Sequence, residues 1–299
     1  MKGRGYRYLE PAALARVRNL GLASRGVVEG FIAGLHSSPY KGFSVEFAEH
    51  RKYVAGDNLR YLDWRVLGRT DRLYLKQYEE ETNLRAQIVL DASASMAFAG
   101  APGGRTKLEY ASFLAAVLAY MMMKQQDAVG LTTFDDKIRL DLPAGGSPRH
   151  FDEMMKQLEA VRPGKTTALS ATLHRLADRF KRRSLIVLVS DLYDDPDALA
   201  SAFHHLRHKR HELIVFQVLD RAEIEFPYRE TATFHDVETG ETIQVDPSYV
   251  RDDYRARFAE FLDRCRRVCA QCRIDHVLME TTEPYDRALA RYLEKRAGP

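Results

Sequence analysis

From residue 84 onward, short apolar runs alternate with stretches of helical period, and this alternation restricts the possible folds more than any other feature of the chain. Residues 86–90, 128–134, 184–190 and 212–219 read as strands. Residues 107–125, with Leu108, Ala111, Ala115, Leu118 and Met122 on one apolar side, and residues 148–160, 168–180 and 197–209 read as the helices between and after them. Such an order predicts an α/β fold with a doubly wound, mostly parallel, Rossmann-type sheet, because each crossover through a helix returns the chain parallel to the previous strand. A short return strand is expected over 137–140, after a turn at Asp135 and Asp136. The pattern then breaks for a β-hairpin over 231–246, turning at Glu238, Thr239 and Gly240. A long amphipathic helix over 247–272, a strand over 275–278 and a helix over 284–296 complete the domain.

Residues 1–83 lack this alternation and are expected to form an N-terminal extension packed on the sheet of residues 84–299. Residues 11–19 suit a short helix and 27–34 a helix or a strand. Residues 72–79 alternate in the manner of a strand, expected to pair near the sheet that begins at Leu84. Trp64 and Leu67 suggest a small core.

The bulk numbers exclude several classes of function. With 299 residues, 45% hydrophobic and 29% charged, the chain has the composition of a globular protein. A net charge of +3 gives no bulk electrostatic pull toward nucleic acid or membrane. No apolar run reaches the roughly 18 residues that span a bilayer, and the N-terminal residues lack the apolar core of a signal peptide. A cytoplasmic protein is the expectation, with no membrane insertion and no nucleic-acid partner. Cys265, Cys269 and Cys272 share the spacing of some iron–sulfur sites. They also fall on the stripe formed with Phe258, Phe261, Leu262 and Val268, so buried helix residues are the expectation.

Chemistry concentrates where the first apolar strand ends. Asp91, Ser93 and Ser95 occupy alternate positions of one tight turn, which brings a carboxylate and two hydroxyls together as hard oxygen donors suited to magnesium or manganese. Asp191 ends the strand at 184–190, and Thr166 and Thr167 lie in the turn before the helix at 168–180. In an open α/β sheet the ligand crevice lies outside the carboxyl ends of the strands, so these donors are expected to converge there.

Other motifs imitate chemistry. Gly164, Lys165 and Thr166 resemble the end of a phosphate-binding loop, but Glu159 stands where the first glycine belongs. His204, His205, His208 and His211 include a zinc-like spacing, yet Arg207, Lys209 and Arg210 surround them, so a solvated helix end is expected. Among the acidic residues after Ser190, Asp195 or Asp197 is expected to cap a helix.

Taken together, the Asp91–Ser95 turn, the threonine before a helix and Asp191 after an apolar strand resemble the metal-ion-dependent adhesion site (MIDAS) of von Willebrand factor A domains. The segments GDNLRYLDWRVLGRTD and HELIVFQVLDRAEIEFPY further resemble the bacterial family catalogued as domain of unknown function fifty-eight. That resemblance implies a von Willebrand factor A-like fold and a magnesium site made by Asp91, Ser93, Ser95, Thr167 and Asp191, with Thr166 as the alternative to Thr167. It also implies a protein partner, a MoxR-type AAA+ ATPase, for which the chain acts as an adaptor or presents substrates. The rival reading is a metal-dependent hydrolase of phosphoesters or peptides, with His150 or Asp194 as the base. Whether the chain is an enzyme is left open at this level.

Overall fold

The computed structural model describes residues 6–10, 45–53, 63–70, 72–80, 84–236 and 240–297. The chain divides into two compact units, one of Ile32–Asn83 and one of Met1–Phe31 with Leu84–Pro299.

In the smaller unit, strand β1 (Val45–Lys52) pairs antiparallel with β2 (Tyr74–Glu80), and Lys52 lies opposite Tyr74. The strand expected over 72–79 therefore pairs with β1, a strand the sequence pattern did not announce. Helix α1 (Trp64–Thr70) begins where Asp63 Oδ1 accepts from the backbone N–H groups of Arg65 and Val66. Trp64 is 67% exposed and does not centre a core. The elements expected over 11–19 and 27–34 lie outside the described residues.

The larger unit is built on a six-stranded sheet of β3 (Arg85–Asp91), β4 (Ala128–Phe134), β5 (Ile138–Gly145), β6 (Leu185–Ser190), β7 (Glu212–Leu219) and β10 (Asp275–Glu280), in the order β10-β7-β6-β3-β4-β5. Every neighbouring pair is parallel except β4 and β5, and β5 is longer than the return strand expected from sequence. The hairpin of β8 (Ala232–His235) and β9 (Thr242–Val245) forms its own two-stranded sheet.

Helices cover both faces of the large sheet, as the near-continuous apolar strands require. On one face α2 (Lys107–Lys124), α3 (Pro148–Ala160) and α8 (Tyr285–Ala297) pack Leu114, Phe151 and Leu289 into a cluster with Ile88, Val187 and Phe216. On the other, α4 (Leu169–Arg179), α5 (Pro196–His208) and α7 (Pro247–Gln271) pack Leu173, Phe203 and Cys265 with Val89, Leu188 and Val215. Successive residues such as Val187 and Leu188 thus serve opposite layers, following the two-residue period of a strand. Each fully buried aliphatic side chain contributes about 1.5–3 kcal/mol.

Helix α2 is buried on nearly all sides, with 14 of its 18 residues in the interior, rather than on the single apolar side expected. Tyr8, whose ring meets Phe113 edge-on, and Tyr285 of α8, which stacks on Phe113, complete that burial. A reciprocal capping box between Thr106 and Glu109 fixes where this helix starts. Cys265, Cys269 and Cys272 are buried free thiols, as their helical stripe predicts. A short helix, α6 (Arg221–Glu225), follows β7 and was not foreseen.

Candidate metal site

Strand order reverses between β3 and β6. The chain leaves β3 toward β4 on one side, while β6, β7 and β10 lie on the other. Asp91 ends β3 and Ser190 ends β6, so the motif residues stand at the topological switch point, where the fold leaves a crevice.

Three loops meet there, and hydrogen bonds tie each to the next. The Asp91–Ser95 loop receives Gly164 N–H at Ala92 O (2.6 Å), and Ala94 N–H donates to Lys165 O (2.7 Å). The loop at 163–168 is joined to the one after β6 by Asp194, whose carboxylate accepts from Ser170 N–H at 2.7 Å. Helix α4 has no side-chain cap from its own Ala168, so Asp194 supplies that acceptor from another loop. The circuit closes where Ser190 Oγ donates to Asp91 Oδ2 at 2.6 Å. Leu192, in the left-handed backbone region at φ 63°, donates its N–H to the same serine oxygen. For a buried leucine that conformation is uncommon, and such residues concentrate where surrounding structure holds a functional loop.

Gly164 is required by packing. A Cβ at this position would lie 2.0 Å from Asp135 Oδ2, so any other residue would force the buried Asp135 side chain or the loop to shift. The glycine that imitates a phosphate-binding loop is in fact a close-approach point.

Within the circuit, Asp91 is buried and its Oδ1 accepts from Ser93 N–H at 2.9 Å. Ser93 Oγ and Ser95 Oγ are 3.0 Å apart. Adjacent oxygens about 2.0–2.1 Å from an octahedral magnesium ion are separated by about 3 Å, so this hydroxyl pair has suitable spacing. Thr167 Oγ1 is buried without a hydrogen-bond partner, whereas Thr166 is exposed. A buried hydroxyl without a partner is costly unless a ligand or water satisfies it. Burial and the charge of Asp191 push the Asp91 carboxyl up to about 7.

The sequence pattern did not point to the cation beside these carboxylates. Lys107, the first residue of α2, is fully buried and reaches Asp191 Oδ2 at 2.8 Å and Glu223 Oε1 at 2.6 Å. Burial opposes its charge, but Asp191 and Glu223 outweigh that effect and hold it above the ordinary lysine value. Burial raises the Glu223 carboxyl, against the lowering influence of Lys107. Tyr193 encloses the pair, with its hydroxyl 3.0 Å from Glu223 Oε1 and its ring beneath the ammonium. One signal was available in the sequence: a lysine in the first turn opposes the helix dipole and needs a local reason. Burial and the charge of Asp191 favour the neutral form of Asp91, and a divalent cation beside the two aspartates would favour its ionised form.

Among the described residues no cluster of three or more His, Cys, Asp or Glu side chains is arranged to hold a metal. The donor set here is mainly hydroxyl, so it suits a hard cation and not zinc. The candidate bases are committed elsewhere. His150 Nε2 lies 2.7 Å from Val129 O near the amino end of β4, and Asp194 accepts from both Ser170 and Asp195 N–H. Asp195 caps α5, as expected. The histidines at the end of α5 are not all solvated. His211 is buried and accepts from Ser184 N–H, and His205 meets His174 with their Nδ1 atoms 3.0 Å apart.

Residues 49–266 match the family described as protein of unknown function DUF58. The chain belongs to this family. The DUF58 chain is 24% identical over 298 residues to the uncharacterized protein Rv1480 of Mycobacterium tuberculosis, covering 96% of this chain and 90% of that one. Among solved structures it is similar to the conserved hypothetical protein BatB from Bacteroides thetaiotaomicron, with a TM-score of 0.50 and 17% identity, covering 72% of this chain and 100% of that one. A weaker likeness, TM-score 0.42 at 13% identity, relates 70% of it to 94% of the SpRpn10 VWA domain. The DUF58 chain has the mostly parallel α/β architecture that its sequence predicts, a fold it shares with BatB. Among its described residues no helix is long and apolar enough to cross a membrane.

Proposed function

We propose that this DUF58 protein is a metal-dependent protein-binding module whose magnesium or manganese site comprises Asp91, Ser93, Ser95, Thr167 and Asp191. The observation that carries the reading is the unpartnered, buried hydroxyl of Thr167 on a loop hydrogen-bonded to the loop of the two serines. Its burial, against the exposure of Thr166, favours Thr167 of the two threonines. When bound, the ion would offer an electrophilic position to a carboxylate from another protein.

The chain's own residues prepare the site. Ser190 and the Ser93 N–H hold both oxygens of Asp91 in place, while Lys107 fixes one oxygen of Asp191 and Tyr193 N–H the other. Resemblance to the wider family extends the proposal to a cytoplasmic adaptor or substrate presenter for a MoxR-type AAA+ ATPase. Calorimetric titration with magnesium and manganese tests the reading. Saturable binding lost in both Asp91→Ala and the Ser93→Ala/Ser95→Ala double variant supports it, followed by metal-dependent retention of the purified ATPase. Binding that both variants retain would overturn it.

A further inference from the structure

A groove of about 550 Å³ opens beside the site, lined by Ala92 of the serine loop, Thr133 and Asp135 at the end of β4, and Arg139, Arg162 and Lys165. Its charged lining is one carboxylate against three cations. Asp135 is already neutralised, because Arg139 Nε lies 2.7 Å from each of its oxygens. Arg162 donates through Nη1 to the carbonyls of Glu159 and Val161, which holds the guanidinium at the groove wall. Neither Arg162 nor Lys165 forms an ion pair among the described residues, and both are exposed. Lys165 is also two residues from Thr167, and its own carbonyl accepts from Ala94 N–H. Two cations without an ion pair among the described residues therefore line a groove that reaches Ala92 of the serine loop, in a chain whose net charge is only +3.

From this charge complementarity we infer that the groove receives an acidic peptide segment of a partner protein. Arg162 and Lys165 would hold one acidic side chain while a neighbouring carboxylate reaches the metal. This inference rests on the metal-dependent binding reading above. Nucleic acid fits less well, because no aromatic side chain lines the groove for base stacking.

The test measures fluorescence anisotropy of a labelled glutamate octamer, with a glutamine octamer and an oligothymidylate as controls, in magnesium and in EDTA. The full chain is compared with Arg162→Gln/Lys165→Gln and with Ser95→Ala, after thermal melts show that each variant is folded. The expected result is magnesium-dependent binding of the glutamate octamer alone, weakened about tenfold by the double variant and stripped of its magnesium dependence by Ser95→Ala. Groove-dependent binding that is indifferent to magnesium would support the groove and overturn the metal reading. Magnesium-dependent binding unaffected by the double variant would overturn the groove and leave the metal reading standing. No binding of the octamer, or equal binding of the oligothymidylate, would also overturn the groove proposal.

Discussion

Replacing Lys107 with methionine removes the buried cation while nearly preserving its volume, so the result measures charge pairing and not packing. Lys107 is fully buried and contacts Asp191 at 2.8 Å and Glu223 at 2.6 Å. At an effective dielectric constant of about 20, each contact is worth about 6 kcal/mol of Coulomb attraction. Removing three ions from water costs several kcal/mol apiece, so the intact network comes out close to neutral in net stability. Deleting the cation alone is different, because two buried carboxylates lose their partner. The expected loss is about 3–5 kcal/mol, read as a lower urea midpoint at unchanged slope.

The sign of its pH dependence follows from Glu223. Burial already raises that carboxyl, and without Lys107 it rises further. A carboxyl raised in the folded state takes up a proton as pH falls, which relieves the unpaired charge, so the loss should be smaller at pH 5.5 than at pH 8. Glu223→Gln in the Lys107→Met background should recover part of the loss at pH 8. A loss below about 1 kcal/mol at pH 8, or one that grows as pH falls, would refute the reasoning.

Metal affinity should depend on pH through Asp91. Its carboxyl, raised to about 7, must release a proton to serve a cation, so magnesium affinity should climb up to about tenfold per unit below pH 7 and level off above about 8. Calorimetry at several pH values checks this, and a flat profile counts against it. Asp127, buried with one oxygen accepting from Leu84 N–H, is likewise pushed up to about 7 by burial. Its folded value exceeds its unfolded one, so native stability falls as pH rises from about 4 to 7. Asp127→Asn removes that slope, and its stability relative to the native chain should improve by about 2–4 kcal/mol between pH 4.5 and pH 8 in urea titrations. Gly164→Ala places a methyl group against Asp135 and should cost about 1–3 kcal/mol of stability while weakening magnesium binding, both measurable on one purified variant.

Local pattern determined the layered α/β architecture, because strands buried on both faces and helices with a repeating apolar stripe leave little choice of arrangement. The same kind of signal placed Asp91, Ser93, Ser95 and Asp191 at strand ends, and topology then made those ends neighbours. The chain from 148 to 160 and from 212 to 219 forms the elements its periodicity predicts, with the same limits. Short elements were harder to read. β1 and α6 lack a period long enough to stand out, and the first is defined by pairing with β2. Helix α2 also departed from its apparent single apolar side, since whether alanine and serine are buried depends on what packs over them. Tertiary structure alone decided the electrostatics of the site. Lys107 and Glu223 are 116 positions apart, and no local pattern says that they share one buried ion pair. It decided too that Asp194 serves Ser170, that Gly164 must stay small beside Asp135, and that Arg162 and Lys165 face one groove. A sequence reports what each residue prefers locally, whereas a pKa, a close approach or a groove depends on residues distant in the chain that folding brings within a few ångströms.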